Sequence, residues 1–354
     1  MSRRPAAAPT AAQVAAAREV AAWYLSRYHG TDEDVGVVTM FTDPGRVGAF
    51  ASPLAAIQAG EPRALFRLLV ATTMFQRRQD LQIMRVLQGI SAEDAAELTD
   101  LEGLRAAAAS CGCPHAQRLE GLLGACDLHK DAGGDGACTA APEVRCLPKR
   151  HAVLLKRYGH FGKVPTGLAH AVAEAGAADL RALKEGCVQR AAGPAEAAEA
   201  LEAALRRAWR VSDKIAAMFL SMLSNPDLWP GGAPWADGLD WGRWVVIDSN
   251  VDLFLSHIGY DGQGTYAARR SFIEALAAEI DLSALKPGVR AYNPRLLQQA
   301  LYLFMSATNR RALARDCSRV TGACDRCPPT LSGPCGLRRS AAEPTATNKR
   351  TELS

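Results

Sequence analysis

The sequence predicts an all-α protein, on three observations. Runs of β-branched residues are scarce, whereas residues 167–208 are rich in Ala, Leu and Glu, which favour helices. Apolar side chains recur every three to four residues in several segments, which is the period of an amphipathic helix. The 354 residues are 48% apolar and 22% charged, a composition that excludes a mostly disordered chain and supplies a sizeable core.

The helices are predicted from local patterns along the chain. Ser91 begins one of them, because an acid at the third helical position completes a pattern close to a capping box. Residues 131–144 are rich in Gly and Ala and indicate a loop. Residues 225–244 carry four Trp, three Pro and four Gly and exclude a regular element. The segments predicted to be helical are 11–28, the pair within 62–90 broken at 76–80, 91 onward, 115–129, most of 167–208, 215–223, 251–258 and 295–305.

Charge and targeting features indicate an intracellular protein. The net charge is +4, and residues 301–354 hold nine Lys or Arg against four Asp or Glu, which favours a polyanion contact near that end. No stretch reaches the ~18 apolar residues of a membrane span, and no secretory signal is present. The basic, Ala-rich start leaves an organellar transit peptide open. We expect a cytoplasmic or nucleoid protein with no membrane partner and a disordered tail over 339–354.

The cysteines are distributed unevenly. Four lie within 19 residues in the pattern C-x6-C-x2-C-x7-C, namely Cys317, Cys324, Cys327 and Cys335. Four thiolates on turns rich in Gly and Pro can hold one metal centre, and the uneven spacing favours a [4Fe–4S] cluster over structural zinc. For the other six, Cys111, Cys113, Cys126, Cys138, Cys146 and Cys187, we expect core packing.

The C-terminal cysteines resemble the iron–sulfur loop of the endonuclease III family, the helix-hairpin-helix DNA glycosylases, whose spacing is C-x6-C-x2-C-x5-C. Three further segments match in the same order within residues 60–338. The resemblance implies two helical domains with an active-site cleft between them. One covers 63–244 and includes a hairpin at 210–216 and an insertion at 225–244. The other combines 1–62 with 245–338 and holds the [4Fe–4S] cluster.

Two of the matching segments imply contacts with double-stranded DNA. Within LFRLLVATTMFQRRQDLQIMRVL, Gln76 falls where the family has a glutamine that enters the duplex near the target base. Within WRVSDKIAAMFLSML, the family's G-V-G-x-K-x-A hairpin reads Arg210 to Ala216, and both glycines are replaced. Ser212 can cap the helix and Arg210 can contact a phosphate by charge. An ordinary polar turn is the alternative role of Gln76.

Lys214 and Asp248 are the expected catalytic residues. Lys214 matches the family's lysine, whose neutral amine attacks the sugar C1′ of a flipped nucleotide to form a Schiff base. Asp248, in VVIDSNVDLFLSHIGY, matches the aspartate of the family's V-D-T-H-V segment. An Asp before an apolar helix is also a favoured N-cap, and the two roles are compatible. A surface role is the alternative for Lys214, and Asp252 is a weaker candidate than Asp248.

Thirty-three residues separate Lys214 from Asp248, about twice the separation common in the family, and the excess is the insertion at 225–244. Its tryptophans can stack on bases or pack against the protein body, and packing is favoured. We therefore expect a monomeric DNA N-glycosylase with AP-lyase activity. Two alternatives stay open, a monofunctional glycosylase in which Asp248 activates water and a non-catalytic DNA-binding protein of the same fold. The sequence leaves the target base undetermined.

Overall fold

A computed structural model describes residues 8–31, 34, 37–130, 136–155, 159–228 and 233–306 of the chain. Within this part the protein is predominantly helical, as the sequence predicts. The helices are α1 (Ala11–Arg27), α2 (Val37–Thr42), α3 (Pro44–Val47), α4 (Leu54–Gln58), α5 (Pro62–Met74), α6 (Asp80–Gln88), α7 (Ala92–Thr99), α8 (Leu101–Ser110), α9 (Leu147–Leu154), α10 (Val164–Glu174), α11 (Leu180–Arg190), α12 (Pro194–Arg206), α13 (Asp213–Ser224), α14 (Ser249–His257), α15 (Tyr266–Ala278) and α16 (Pro294–Met305).

The helix boundaries follow the capping residues in the sequence. Thr10 and Gln13 form a reciprocal capping box at the start of α1. The Ser91 hydroxyl accepts a hydrogen bond from the Asp94 amide at 3.0 Å, so the predicted cap of α7 is confirmed. Pro62 begins α5, where its missing N–H is of no consequence. The polar residues 76–80 separate α5 from α6, as expected from the sequence.

The predicted helix over 115–129 is wrong. Only a short helical turn, a π-turn at Gly121–Ala125, forms there, and the chain then enters a small antiparallel ladder of β1 (His129–Lys130) with β2 (Gly136–Ala137). A methyl group in place of the Gly121 hydrogen would lie 2.7 Å from the His115 carbonyl oxygen, so the backbone folds tightly onto itself here. Pro114 and the glycines at 121 and 124 thus outweigh the helical spacing of the apolar residues.

Two large clusters of buried apolar side chains form the interior. The first core takes residues from 40 to 246, and α5 packs against α13 within it. The second core joins α1 to residues between 245 and 305, with α16 packed against both α1 and α14. Gln13 ties the start of α1 to the end of α14 through the carbonyl oxygens of Ile258 and Gly259, at 3.3 and 3.2 Å. The N-terminal helix therefore packs with the C-terminal part of the described chain.

The tryptophan-rich segment is packed against the protein where the structure describes it. Trp235 is buried and meets Phe219 edge-on with ring centroids 6.0 Å apart. Trp244 is also buried, and its indole N–H donates to the Glu202 carboxylate at 3.1 Å. The favoured packing role is confirmed for these two residues, whereas Trp229 lies outside the described residues. No helix in the described ranges is long and apolar enough to cross a membrane.

Candidate active site

The hairpin between α12 and α13 keeps a turn for which glycine is favoured. Arg210 stands at the place of the family's first glycine and has φ of +68°, in the left-handed region that costs an ordinary residue about 1–2 kcal/mol. Ser212 occupies the N-cap position of α13, but its exposed hydroxyl makes no hydrogen bond to the helix, so the expected side-chain cap is absent. A backbone conformation for which glycine is favoured is therefore adopted here by a non-glycine residue.

The Arg210 side chain lies against the protein. Its guanidinium makes a 2.9 Å contact with Nε2 of His160 and lies 5.2 Å from the centre of the Trp209 ring. Burial lowers the pKa of Arg210, and the nearby charge of Arg77 acts in the same direction. The guanidinium is thus partly engaged by the protein itself.

Gln76 joins the turn after α5 to the hairpin. Its side-chain amide donates to the carbonyl oxygen of Thr73 at 2.6 Å and to that of Arg210 at 3.1 Å. The next residue, Arg77, is exposed and has φ of +61°, so a second non-glycine residue holds a left-handed conformation beside the first. Two turns with left-handed residues, one with an exposed arginine and one with a half-buried arginine, are thus joined by Gln76, and backbone strain of this kind clusters at functional sites.

Lys214 and Asp248 line one pocket. Lys214 lies in the first turn of α13, and its Nζ donates a long bond of 3.4 Å to the carbonyl oxygen of Phe75 at the end of α5. Asp248 is the N-cap of α14, where its Oδ1 accepts the amides of Asn250 and Val251 at 3.1 and 2.9 Å. The capping interpretation is confirmed, and the same carboxylate faces the pocket beside Lys214.

Asp80 is a second carboxylate in this pocket, and sequence reasoning missed it. It begins α6, and its Oδ2 accepts the Tyr302 hydroxyl at 2.8 Å. Burial raises the pKa of Asp80, while the Tyr302 hydrogen bond and the Lys214 charge act to lower it and the Asp248 charge raises it further. The charges of both Lys214 and Asp248 therefore affect the pKa of Asp80. In the sequence it is an ordinary acid in a first helical turn, which carries no distinguishing signal.

A fully buried arginine completes the pocket. Arg295 on α16 donates from Nε to the Ser221 hydroxyl at 2.9 Å and from Nη1 to the side-chain oxygens of Gln298 and Gln299 at 2.7 and 2.9 Å. Burial lowers the pKa of Arg295 to about 10, and among the groups that oppose this is Asp248. At neutral pH the guanidinium is charged, so a buried cation lies in the pocket beside Lys214, Asp80 and Asp248.

The orientation of Gln299 follows from that arginine. A guanidinium can only donate, so the glutamine oxygen must face Arg295 and the amide nitrogen must point away from it. This nitrogen is buried and makes no hydrogen bond to any described residue, although the side chain lines the pocket. The pocket has about 500 Å³ of empty space, counting the part that is open to solvent. The wall of the pocket thus contains one buried hydrogen-bond donor with no partner among the described residues.

The remaining predicted residues lie elsewhere. Cys317, Cys324, Cys327 and Cys335 are outside the described residues. Asp252 does not line the pocket and instead pairs with Arg269 at 3.2 Å. Comparison with protein-family models, with characterised proteins and with solved structures gave no match. The functional assignment therefore depends on the geometry of the pocket and on the sequence motifs.

Proposed function

We propose that the protein is a DNA N-glycosylase of base excision repair with AP-lyase activity, and that it acts on double-stranded DNA as a monomer. One observation carries the proposal. Lys214 and Asp248, which are separated by 33 residues in the sequence, line one pocket together with a second carboxylate. A nucleophilic amine beside two acids is the set of groups that this chemistry needs.

The chemistry starts with a nucleotide that leaves the base stack, because C1′ is inaccessible within a duplex. Neutral Lys214 attacks C1′ as the glycosidic bond breaks, and the base leaves with the electron pair of that bond and takes a proton from solvent. Asp248, held by the helix amides, stabilises the positive charge that develops on the sugar. Asp80 accepts the proton that the amine loses, since its raised pKa brings it closer to the pH of catalysis. The sugar ring then opens to a Schiff base as Asp80 returns this proton to O4′. In the β-elimination that follows, C2′ loses a proton to a base, the 3′-phosphate leaves, and the strand is broken.

The buried glutamine supports recognition of the extruded base. The free N–H of Gln299 would donate to an acceptor on the base, and Arg295 fixes the direction of this donor. A site that hydrogen-bonds a ligand group discriminates against ligands that lack it, because its own buried donor is then left unpaired. The target would therefore present a carbonyl oxygen or ring nitrogen at that edge.

The position of the pocket supports the expected two-domain arrangement. Phe75 and Val246 belong to the first core, whereas Arg295 and Tyr302 lie on α16, which packs in the second. In this proposal the pocket is the cleft between the domains. Residues 40–57 also pack in the first core, so they would belong with the 63–244 domain.

DNA would lie across the two strained turns. Arg77 and Arg78 are exposed next to Gln76, and the hairpin end is exposed at Ser212. Arginines at exposed turns position a duplex through its phosphates. The four C-terminal cysteines, with one thiolate for each iron, would hold a [4Fe–4S] cluster. When bound, that cluster would fix the segment that follows α16.

Borohydride trapping tests the proposal directly. With a duplex that contains an abasic site, the wild-type protein should form a covalent complex, and Lys214→Gln should abolish it because only the amine forms the imine. Lys184→Gln, a change on α11 away from the pocket, is the matched control and should trap normally. Trapping by Lys214→Gln at the wild-type level would overturn the assignment of the nucleophile.

Asp248→Asn separates catalysis from capping. It should abolish base release and leave DNA binding nearly intact, because charge is removed without volume. If Asp248 only caps α14, the chemistry should be unchanged and the stability nearly so, because Asn caps a helix about as well as Asp. The missing hairpin glycines favour the alternative of a non-catalytic DNA-binding protein. That alternative predicts tight duplex binding with neither trapping nor base release across a panel of damaged and mismatched duplexes.

A further inference from the structure

Residues 244–248 form an irregular segment that connects the two cores. Trp244 and Val246 are buried in the first core. Val245 and Ile247, which alternate with them along the chain, are buried in the second. The segment ends at Asp248, which is the N-cap of α14 and lines the pocket. The position of these residues therefore decides where the Asp248 carboxylate lies.

The main chain of this segment makes few hydrogen bonds of its own. Among the described residues, the only bond between backbone groups that involves 245–247 runs from the Val245 amide to the Arg243 carbonyl oxygen, at 3.2 Å. Buried backbone groups normally have partners, because an unpaired one costs about as much as a lost hydrogen bond. A side chain from another element is therefore needed to bind the buried peptide groups before Asp248.

Tyr266 supplies that side chain. Its hydroxyl donates to the Val245 carbonyl oxygen at 2.8 Å and accepts the Ile247 amide at 3.3 Å. A phenolic hydroxyl can donate and accept, so both bonds form at once. They join the two peptide groups on either side of Val246 and so restrict rotation of the backbone at that residue. Burial raises the pKa of Tyr266, so the hydroxyl keeps the proton that it donates.

Tyr266 is itself anchored on a packed helix. It follows Thr265, whose hydroxyl caps α15 by accepting the Ala268 amide at 3.2 Å. The Tyr266 ring packs against the second core, in which α15 contacts α16. A group presented by a helix is held more precisely than one on a loop. The hydroxyl thus fixes an irregular segment to a regular element.

The carboxylate that follows the segment keeps one oxygen for a ligand. Oδ1 of Asp248 accepts the amides of Asn250 and Val251, whereas Oδ2 makes no hydrogen bond to any described residue. Val246 lines the same pocket. A shift of the segment would move Val246 and Asp248 together, because only one residue lies between them.

We propose that Tyr266 is a positioning residue, whose hydroxyl holds residues 245–247 so that the Asp248 carboxylate is directed into the pocket. The inference rests on the proposed function, because it takes the role of Asp248 from there. Tyr266 does not line the pocket and acts through the backbone alone. Misplacement of a reacting group by about 1 Å can lower a rate roughly 100-fold.

Tyr266→Phe tests the proposal, because it removes one oxygen and keeps the ring. The substrate is the duplex, from a panel of damaged and mismatched duplexes, whose base the wild-type protein releases fastest. We expect kcat for base release to fall roughly 10–100-fold while KM stays near the wild-type value. Borohydride trapping at an abasic site should be unchanged, because no glycosidic bond breaks there.

Tyr260→Phe is the matched control. The Tyr260 hydroxyl also donates to a backbone carbonyl oxygen, that of Gln263 at 3.1 Å, and the residue does not line the pocket. Its loss should leave kcat, KM and trapping at the wild-type values. A purely structural role for Tyr266 predicts the same unchanged kinetics for Tyr266→Phe.

Amide hydrogen exchange gives a second readout, which needs no activity. In Tyr266→Phe the Ile247 amide should exchange faster, and so should the Val251 amide that Asp248 caps. The Ala268 amide at the start of α15 should be unchanged. If the variant does not fold, a measurement on the wild-type protein serves instead, since its Ile247 amide should be protected from exchange.

Three results would overturn the positioning role. The first is a wild-type kcat in Tyr266→Phe, and the second is a raised KM with kcat unchanged. The third is an Ile247 amide that exchanges at the same rate in both proteins or is unprotected in the wild type. If the wild-type protein neither traps nor releases a base from any duplex, the glycosylase proposal fails instead. The exchange comparison then still decides whether Tyr266 holds the segment.

Discussion

Replacing Asp80 by Asn gives the sharpest test of the pocket. The change keeps the size of the side chain and an oxygen that can accept the Tyr302 hydroxyl, which lies 2.8 Å away. It removes a pocket carboxylate whose pKa depends on the charges of both Lys214 and Asp248. If Asp80 takes the proton from the attacking amine, the loss should lower the rate of borohydride trapping by about 10²–10⁴-fold, the usual contribution of a general base.

The same change should not destabilise the protein. A hydrogen bond to a charged acceptor is worth about 1.5–3 kcal/mol and one to a neutral acceptor about 0.5–1.5, so roughly 1 kcal/mol is lost at Tyr302. The opposing effect is the removal of a buried charge. Because burial outweighs the favourable contacts and raises the pKa of Asp80, the ionised carboxylate is less favourable in the folded protein than in the unfolded chain. Its neutral substitute should therefore leave the melting temperature at neutral pH unchanged or higher.

The pH dependence has a definite sign. The folded protein binds the Asp80 proton more tightly than the unfolded chain, so wild-type stability falls as pH rises from the ordinary pKa through the raised one. The Asn variant should not show this loss of stability with rising pH. Its higher stability relative to the wild-type protein should therefore disappear in acid. The wild-type trapping rate should rise with pH through the raised pKa, and this limb should be absent from the variant.

Asp252→Asn is the matched control. Burial also raises the pKa of Asp252, but this residue pairs with Arg269 outside the pocket. Its variant should trap at the wild-type rate. Wild-type trapping by Asp80→Asn at every pH, or a clearly lower melting temperature for that variant, would refute the role of Asp80 as a base held in an unfavourable state.

Three further predictions concern other parts of the chain. Arg77→Gly should raise the free energy of unfolding by about 0.5–1 kcal/mol in chemical denaturation, because glycine adopts the positive φ without strain. The same change should reduce by about 1 the slope of the logarithm of the DNA-binding constant against the logarithm of salt concentration. Arg78→Gly is the control and should not be stabilised. Gln299→Met should slow base release about tenfold without affecting trapping at an abasic site, which has no base to contact. Anaerobically purified protein should be brown, absorb near ~400 nm and contain about four irons per chain, and Cys324→Ser should lose them.

Much of the fold could be predicted from local sequence. The helices α1, α5, α6, α13 and α16 all combine apolar spacing with polar or proline-containing boundaries, and the structure has them close to the predicted positions. The loop and ladder around 115–137 could not be predicted, because the apolar spacing there resembles a helix while the tight backbone approach at Gly121 depends on tertiary contacts.

Some pocket residues could likewise be predicted from local sequence, whereas others could not. Lys214 and Asp248 were identified through motifs in their own segments. Arg295 follows a proline in a first helical turn, a position that is normally solvated, yet it is almost fully buried. The sequence around Asp80 indicates only an acidic residue in the first turn of a helix. Both residues reach the pocket through tertiary hydrogen bonds of α16, from Arg295 to Ser221 and from Tyr302 to Asp80, which no local pattern records.

The charges of the pocket suggest why a buried ionic group is kept there. Removing charges from water is costly, and apolar replacements of similar volume are often at least as stable. In the proposed reaction, the proton that the Lys214 amine loses passes to Asp80, so Arg295 and Asp248 remain as oppositely charged groups in the pocket. The Asp248 carboxylate would then lie where the sugar becomes positive as the base departs, so the arrangement would stabilise the transition state more than the resting state.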